Sequence, residues 1–233
     1  MIRLLLHVEG QTEETFVGEV LRAHLASRGY SSVDARLLGS ARQRHRRGGA
    51  RSWSSALRDI RNHLKQDPQC IAGTMVDYYR LPAQGAGAWP GRREATKVGG
   101  TVEQRAGTVE RALAEAVAEE MGGSFDRRRF VPYVMMHEFE AMLFSDCSRF
   151  CRAIGRTDLS APLEQIRRAF DTPEDIDDSQ ETAPSKRILR LLPSYEKPLM
   201  GNLGVLQIGL DTIRGECPHF NGWLELLEEL GGG

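Results

Sequence analysis

The chain begins with a short, almost unbroken apolar segment that stops at an acidic residue. Ile2 to Val8 is interrupted only by Arg3 and His7, and Glu9 and Gly10 follow it. A run this short and this apolar is typical of a strand buried on both faces of a parallel sheet. The segment therefore predicts an open α/β fold.

The residues after this strand predict a helix. Thr12 is placed to cap it, and Glu13 and Glu14 lie in its first turn, where acids are favourable. Glu9 is then expected just past the carboxyl end of a central strand, which is where open α/β sheets bind ligands. Taken alone, Glu9 is equally well explained as an exposed acid in a turn.

Three later apolar segments are predicted to be strands, and they cover residues 32–38, 70–76 and 130–136. Asp77 ends the second of them. Glu138 and Glu140 follow the third, and they face different directions if the chain turns into a helix there but share a face if it stays extended. In a parallel sheet the carboxyl ends of the strands share one edge, so Glu9, Asp77 and Glu138 are expected to gather.

Clustered carboxylates repel one another, and a divalent cation removes that cost. Mg²⁺ or Mn²⁺ prefers oxygen ligands and leaves room for water and substrate phosphates. The sequence also lacks a Gly-Lys-Ser/Thr phosphate loop. The acids therefore predict metal-assisted phosphoryl chemistry at this edge of the sheet.

The composition is typical of a soluble globular protein. Because the net charge is close to zero, any binding of nucleic acid is expected to depend on a local basic patch. The 233 residues of the chain carry a net charge of −1, so no global field attracts nucleic acid. No apolar run approaches the length of a membrane span and no signal-peptide pattern is visible, so a cytoplasmic protein without membrane contact is expected. A basic cluster lies in one segment without acids: Arg42, Arg44, Arg46, Arg47 and Arg51. It predicts either a phosphate-contacting loop or a solvated one.

The last third of the chain has shorter helical segments and few strand-like runs. We expect an α/β core over residues 1–150 and a helical subdomain packed on it over residues 151–233. The acidic segment 173–178 is open to three interpretations: a helix cap, a cation site or a solvated turn. Lys186 and Lys197 are candidates to contact a phosphate or a developing charge, or to pair with those acids.

Four segments resemble known families. Val8–Glu13 is similar to the first motif of Toprim domains, the metal-binding fold of topoisomerases, primases and overcoming-lysogenization-defect nucleases. His137–Asp146, Pro173–Asp177 and Ala183–Ile188 resemble a Toprim-related prokaryotic family of unknown function. Its members often lie beside genes for AAA or ABC-type ATPases in phage-defence loci, which implies an ATPase partner.

The resemblance implies roles for particular residues. Glu9 would be the principal acid on the metal, Glu13 a secondary acid, and Asp77 the first aspartate of the Toprim Asp-x-Asp motif. Tyr79 stands where the second aspartate belongs. Either Glu138 or Glu140 replaces that ligand, or the metal site is degenerate.

Three functions follow from these observations. The first is a Mg²⁺-dependent nuclease acting on DNA or RNA, with Glu9, Glu13, Asp77 and Lys186 as catalytic residues and the basic segment holding the backbone. The second is a non-catalytic Toprim-like adaptor that binds an ATPase and recognises a nucleic acid or a phage signal, with binding that does not depend on metal. The third is a phosphoryl or nucleotidyl transferase acting on a small substrate.

Overall fold

The computed structural model describes residues 1–38, 52–136, 138–176 and 182–232. Within these ranges four parallel strands form one sheet, with the spatial order β2-β1-β3-β4. The strands are β1 (Arg3–Val8), β2 (Ser32–Leu37), β3 (Cys70–Asp77) and β4 (Phe130–Met135). The predicted α/β fold with four parallel strands is confirmed.

Helices cover both faces of the sheet. Those preceding β4 are α1 (Gln11–Phe16), α2 (Arg22–Ala26), α3 (Trp53–Gln66), α4 (Arg92–Val98) and α5 (Val102–Met121). A π-helical turn over Val17–Leu21 joins α1 to α2. After β4 come a 3₁₀ segment over Phe139–Asp146 and then α6 (Cys147–Ala153), α7 (Ser160–Arg167), α8 (Pro184–Leu191), α9 (Lys197–Ile208), α10 (Leu210–Glu216) and α11 (Pro218–Gly231). In the described part of the chain, no helix is both long and apolar enough to cross a bilayer.

Two apolar clusters fill the two faces of the sheet. One contains Leu6 of β1 together with Phe16 of α1 and Leu224 of α11. The other packs α3 and α5 against the opposite face, through residues such as Ile60 and Leu113. The division into a core over residues 1–150 and a subdomain over 151–233 stays a prediction.

The direction of the chain connections reverses between β1 and β3. The connection from β1 to β2 runs through α1 and α2, which belong to the first apolar cluster. The connections from β2 to β3 and from β3 to β4 run through α3 and α5, which belong to the second. Adjacent strands whose connections leave in opposite directions form a crevice at their carboxyl ends, the usual ligand site of open α/β sheets.

Helix α9 lies very close to the elements beneath it. A Cβ atom on Gly204 would come within 2.6 Å of Leu143 and 2.7 Å of Phe150, and one on Gly201 would come within 3.1 Å of the Tyr195 hydroxyl. The two glycines therefore allow a close approach that larger residues would prevent. The orientation of α9 about its own axis is fixed by this contact.

The acidic segment 173–178 contributes a helix cap, the first of its three predicted roles. The carboxylate of Glu174 accepts backbone N–H bonds from His219 (2.9 Å) and Phe220 (3.0 Å), in the first turn of α11. An acid at a helix N-terminus satisfies donors that have no partner within the helix. Residues 177 and 178 lie outside the described residues.

A pair of histidines connects the sheet to α3. His7 is fully buried on β1, and its Nδ1 lies 3.1 Å from the carbonyl oxygen of Gly73. Its Nε2 lies 2.9 Å from Nδ1 of His63 on α3. Because the carbonyl can only accept, Nδ1 of His7 carries the proton, and Nε2 accepts a hydrogen bond from His63. Burial lowers the pKa of His7 to about 4.

Candidate functional site

Glu9 and Asp77 meet at the crevice between β1 and β3. Glu9 follows the last residue of β1, and Asp77 is the last residue of β3. The backbone N–H of Asp77 donates a hydrogen bond to Oε2 of Glu9 at 3.2 Å. The predicted gathering of acids from separate strands is present for this pair.

Arg80 bridges the two carboxylates. Its Nη1 lies 3.4 Å from Oε1 of Glu9, and its Nε lies 3.7 Å from Oδ2 of Asp77. The 3₁₀ turn Tyr78–Arg80 that follows β3 brings the guanidinium back over the strand end. The arginine side chain is 55% exposed, whereas that of Asp77 is 3% exposed. The bridge therefore lies on the solvent side of the acids.

Glu13 is a buried acid in the first turn of α1. The helix begins at Gln11 with Gly10 as its N-cap, so the expected cap at Thr12 is wrong, and Thr12 lies inside the helix and is buried. A Cβ on Gly10 would lie 2.9 Å from Oε2 of Glu13. The absence of a side chain at Gly10 leaves space for this carboxylate beside the strand end.

The two acids after β4 diverge. Glu138 is extended, and the chain then turns into the 3₁₀ segment, as in the first of the two predicted arrangements. Oε2 of Glu138 accepts the backbone N–H of Ser185 at 2.8 Å, in the first turn of α8. Glu140 is fully buried, and its Oε2 lies 2.8 Å from Nζ of Lys197 at the start of α9.

The electrostatic environment couples Lys197 to the acids of the sheet edge. Burial raises the pKa of Asp77 well above its usual range, Lys197 lowers it, and the charges of Glu9, Glu13 and Glu140 raise it further. Burial also raises the pKa values of Glu9 and Glu140. Burial opposes the charge on Lys197, but Asp77, Glu140 and Glu13 raise its pKa above its usual value. Burial and the neighbouring acids thus outweigh the opposing effect of the buried lysine on the pKa of Asp77.

A cavity of about 140 Å³ lies within this cluster, lined by Glu9, Gly10, Thr12, Glu13, Asp77, Arg80, Lys197 and Pro198. Oδ1 of Asp77 is buried and has no hydrogen-bond partner among the described residues. A buried carboxylate oxygen without a partner is costly, and a bound cation or donor would satisfy it.

Direct ligation by three protein groups is not present in this arrangement. Among the residues that the structure describes, no three acids, histidines or cysteines are grouped so as to hold one ion. Mg²⁺ usually takes only one or two protein carboxylates and completes its shell with water and substrate phosphates. Glu9 and Asp77 provide the two carboxylates that a site of this kind requires, and Oδ1 of Asp77 has no other partner among the described residues.

A family model described as a domain of unknown function, DUF4276, matches residues 8–228. The chain belongs to this family. One solved structure similar to it is the C-terminal region of the OLD protein of Xanthomonas campestris pv. campestris. The two share 15% identity with a TM-score of 0.44, over 99% of this chain and 96% of that one. No curated protein matches the chain in sequence.

The remaining predicted residues of this DUF4276 chain lie away from the cavity or outside the described residues. Lys186 is exposed on α8, one residue after the backbone N–H that binds Glu138. The predicted nucleic-acid contacts fall in residues 39–51, which lie outside the described residues: Arg42, Arg44, Arg46, Arg47 and Arg51.

Sequence reasoning missed two residues that line the cavity, Arg80 and Gly10. The position of Arg80 could have been predicted from its spacing. It lies three residues after Asp77, and one 3₁₀ turn brings residues at that spacing onto the same side of the chain. For Gly10 the signal is its position between a strand and a helix, where a glycine permits close approach. The role of Lys197 as partner of Glu140 has no local signal, because 57 residues separate the two.

Proposed function

We propose that the chain is a metal-dependent phosphodiesterase of the Toprim type, a nuclease that acts on DNA or RNA. The observation that carries this proposal is the pairing of Glu9 and Asp77 at the crevice between β1 and β3, around a cavity with an unpartnered oxygen of Asp77. This position on an open parallel sheet is the usual place for a ligand.

Each residue of the cluster has a role in the proposal. Glu9 and Asp77 would hold Mg²⁺ or Mn²⁺, which when bound activates water and neutralises charge on a phosphate. Glu13 is close enough to influence Asp77 and would act as a second acid or base. Lys197, held by Glu140, would supply a fixed positive charge for the phosphate. Glu138 and Glu140 as metal ligands, and Lys186 as a catalytic residue, stay predictions.

The wider context of the proposal rests on the sequence. The basic segment containing Arg42 to Arg51 would contact the nucleic-acid backbone. The motifs similar to a Toprim-related family support an effector that works with an AAA or ABC-type ATPase in phage defence. Both partners belong to the proposal.

Calorimetric titration of Mn²⁺ and Mg²⁺ tests the metal site. The Glu9→Gln and Asp77→Asn variants keep side-chain volume but remove a ligand charge, and we expect each to weaken binding at least tenfold. Glu14→Gln is the matched control, because Glu14 is an exposed acid on the same helical turn as Glu13. Wild-type affinity in both Glu9→Gln and Asp77→Asn would contradict the assignment.

Cleavage is tested separately on supercoiled DNA and on single-stranded RNA, with Mn²⁺ and with the candidate ATPase added. Glu9→Gln is expected to lower the cleavage rate by about 100-fold or more, as loss of a charge-stabilising group does in other enzymes. Equal rates for wild type and Glu9→Gln would rule out the nuclease assignment for this cluster.

Arg80 is expected to oppose metal binding, because its guanidinium occupies the solvent side of the same two carboxylates. Replacing Arg80 with glutamine removes the competing charge, and we expect Mn²⁺ to bind about two- to fivefold more tightly, as fits an exposed ion pair. Arg80→Lys keeps the charge and should leave the affinity near the wild-type value. Weaker Mn²⁺ binding in Arg80→Gln would show that the arginine supports the site instead.

A non-catalytic adaptor is the second candidate function. Two observations favour it: Arg80 and Lys197 already provide positive charge to the acids, and Tyr79 stands at the place of the second Toprim aspartate. An adaptor predicts nucleic-acid binding that is equal in Mn²⁺ and in EDTA and unchanged by Asp77→Asn. The titration and the cleavage assay together separate the two candidates.

A further inference from the structure

Arg80 is held by its acids more loosely than other arginines of the chain are held by theirs. Its distances to Glu9 and Asp77 are 3.4 and 3.7 Å, whereas a strong ion pair between arginine and a carboxylate spans about 2.7–2.9 Å. Arg61 and Arg156, for comparison, lie 2.8 and 2.7 Å from their acids. The guanidinium of Arg80 is therefore attracted to the two carboxylates without being fixed by short hydrogen bonds.

Space is present on either side of the Arg80 side chain. On one side it lines the cavity of the acid cluster, together with Lys197. On the other side it lines a second, smaller cavity, whose walls include Leu81 and Trp89. More than half of the side chain is exposed. Within the described part of the chain, the guanidinium therefore has room to move away from the acids.

The attraction between Arg80 and the cluster is electrostatic. Burial opposes the charge of Arg80, but four neighbouring acids raise its pKa above the usual value: Glu9, Asp77, Glu13 and Glu138. A cation bound to Glu9 and Asp77 would neutralise the two acids that Arg80 contacts and weaken this attraction. The guanidinium would then be available to another anion.

A phosphate is the anion that suits an arginine at this position. The planar guanidinium binds two phosphate oxygens through parallel N–H donors. The Nη1 and Nε groups that face the carboxylates of Glu9 and Asp77 are the donors that such a contact would use. Arg80 is more exposed than Lys197 on the opposite wall of the cavity, so a phosphate that arrives from solvent meets Arg80 first.

We propose that Arg80 is a phosphate-binding residue that exchanges partners. It pairs with Glu9 and Asp77 in the free protein and with a phosphate of the nucleic acid in the complex. Metal binding then frees Arg80 for the phosphate, and phosphate binding frees the acids for the metal, so each ligand strengthens the binding of the other. The inference rests on the proposed function, because it takes the ligand to be a phosphodiester.

A double-mutant cycle on DNA binding in EDTA tests the exchange without any metal. The probe is a fluorescein-labelled single-stranded DNA of ten nucleotides, and fluorescence anisotropy at low salt gives its dissociation constant. In the wild type Arg80 is paired with the acids, so Arg80→Gln is expected to change this constant by less than about twofold. Glu9→Gln removes the nearer acid, and in that background Arg80→Gln is expected to weaken DNA binding about fivefold, the effect of losing one phosphate contact.

Arg93→Gln is the matched control for the cycle. Arg93 is an exposed arginine on α4, so its replacement should change DNA binding by the same factor in the wild-type and Glu9→Gln backgrounds. The reciprocal measurement is a calorimetric titration of Mn²⁺ with and without dimethyl phosphate, a minimal phosphodiester. We expect dimethyl phosphate to tighten Mn²⁺ binding about two- to fivefold more in the wild type than in Arg80→Gln.

Three results would overturn the inference. Equal effects of Arg80→Gln in the two backgrounds of the cycle would show that the arginine does not exchange between acids and phosphate. Absence of DNA binding by Glu9→Gln would show that a phosphodiester is not the ligand. Equal tightening of Mn²⁺ binding in the wild type and Arg80→Gln would show that the two ligands are not coupled through this residue. A wild type that binds no Mn²⁺ would instead overturn the proposed metal site, and the cycle in EDTA would still report on Arg80.

Discussion

Replacing Lys197 with methionine is expected to lower the free energy of unfolding by about 3–5 kcal/mol, the usual cost of removing one partner of a buried ion pair. Glu140 is fully buried, and Nζ of Lys197 lies 2.8 Å from its carboxylate. Asp77 is also buried and is stabilised as an anion by the same lysine. Methionine keeps most of the side-chain length but leaves both acids without this charge.

Urea unfolding at neutral pH measures the effect, and two controls isolate it. The double variant Lys197→Met with Glu140→Gln removes both charges of the pair, so it should be less destabilised than the two single changes added together. Lys186→Met removes an exposed lysine and should change the free energy of unfolding by less than about 0.5 kcal/mol. Additive single and double changes at 197 and 140 would contradict the coupling.

The buried His7 is expected to make stability depend strongly on pH. Its pKa falls from 6.5 to about 4 on folding, chiefly because burial disfavours the charged ring. The unfolded chain therefore binds a proton more readily than the folded one between these values. The stabilisation is complete above pH 6.5 and is lost as the pH falls toward 4, amounting to about 3 kcal/mol.

His7→Asn tests this expectation, because asparagine can still donate a hydrogen bond to the Gly73 carbonyl but does not titrate. We expect about 2 kcal/mol of the change in free energy of unfolding between pH 7 and pH 5 to disappear in this variant. His219 provides a control of opposite sign, since burial lowers its pKa but Glu110 and Glu174 raise it above its usual value. Its contribution is present at low pH and is lost as the pH rises through the raised value. An unchanged pH profile for His7→Asn would contradict the assignment.

The parallel sheet and the pairing of Glu9 with Asp77 could be predicted from the sequence, because each depends on short apolar runs that end at an acid. The apolar run before Glu9 and the run ending at Asp77 each form a buried strand, and parallel pairing then places their ends together. Glu13 was predicted as a site acid, but its burial was not, because that depends on the empty volume at Gly10.

The rest of the cluster depends on contacts between distant segments. Glu138 and Glu140 are two residues apart, yet one caps α8 and the other meets α9, because a 3₁₀ turn begins between them. Hydrophobic periodicity does not report the start of such a turn. The same limit applies to Lys197, whose place at the cavity is set by the packing of α9 through Gly201 and Gly204.

The dependence of the cluster on Lys197 has a consequence for biosynthesis. Glu9, Glu13 and Asp77 leave the ribosome first, and Glu140 follows, so four acids of the cluster exist before Lys197, which pairs with Glu140, has been made. During that interval the nascent chain lacks the positive charge of α9. The carboxylates at the ends of the strands are then expected to stay exposed to water or to bind protons, because burying unpaired charges is costly. We expect the acids to take up their buried arrangement only after α9 has been made, because Lys197 of α9 lines the cavity. The last third of the chain would then complete an arrangement that the first third begins.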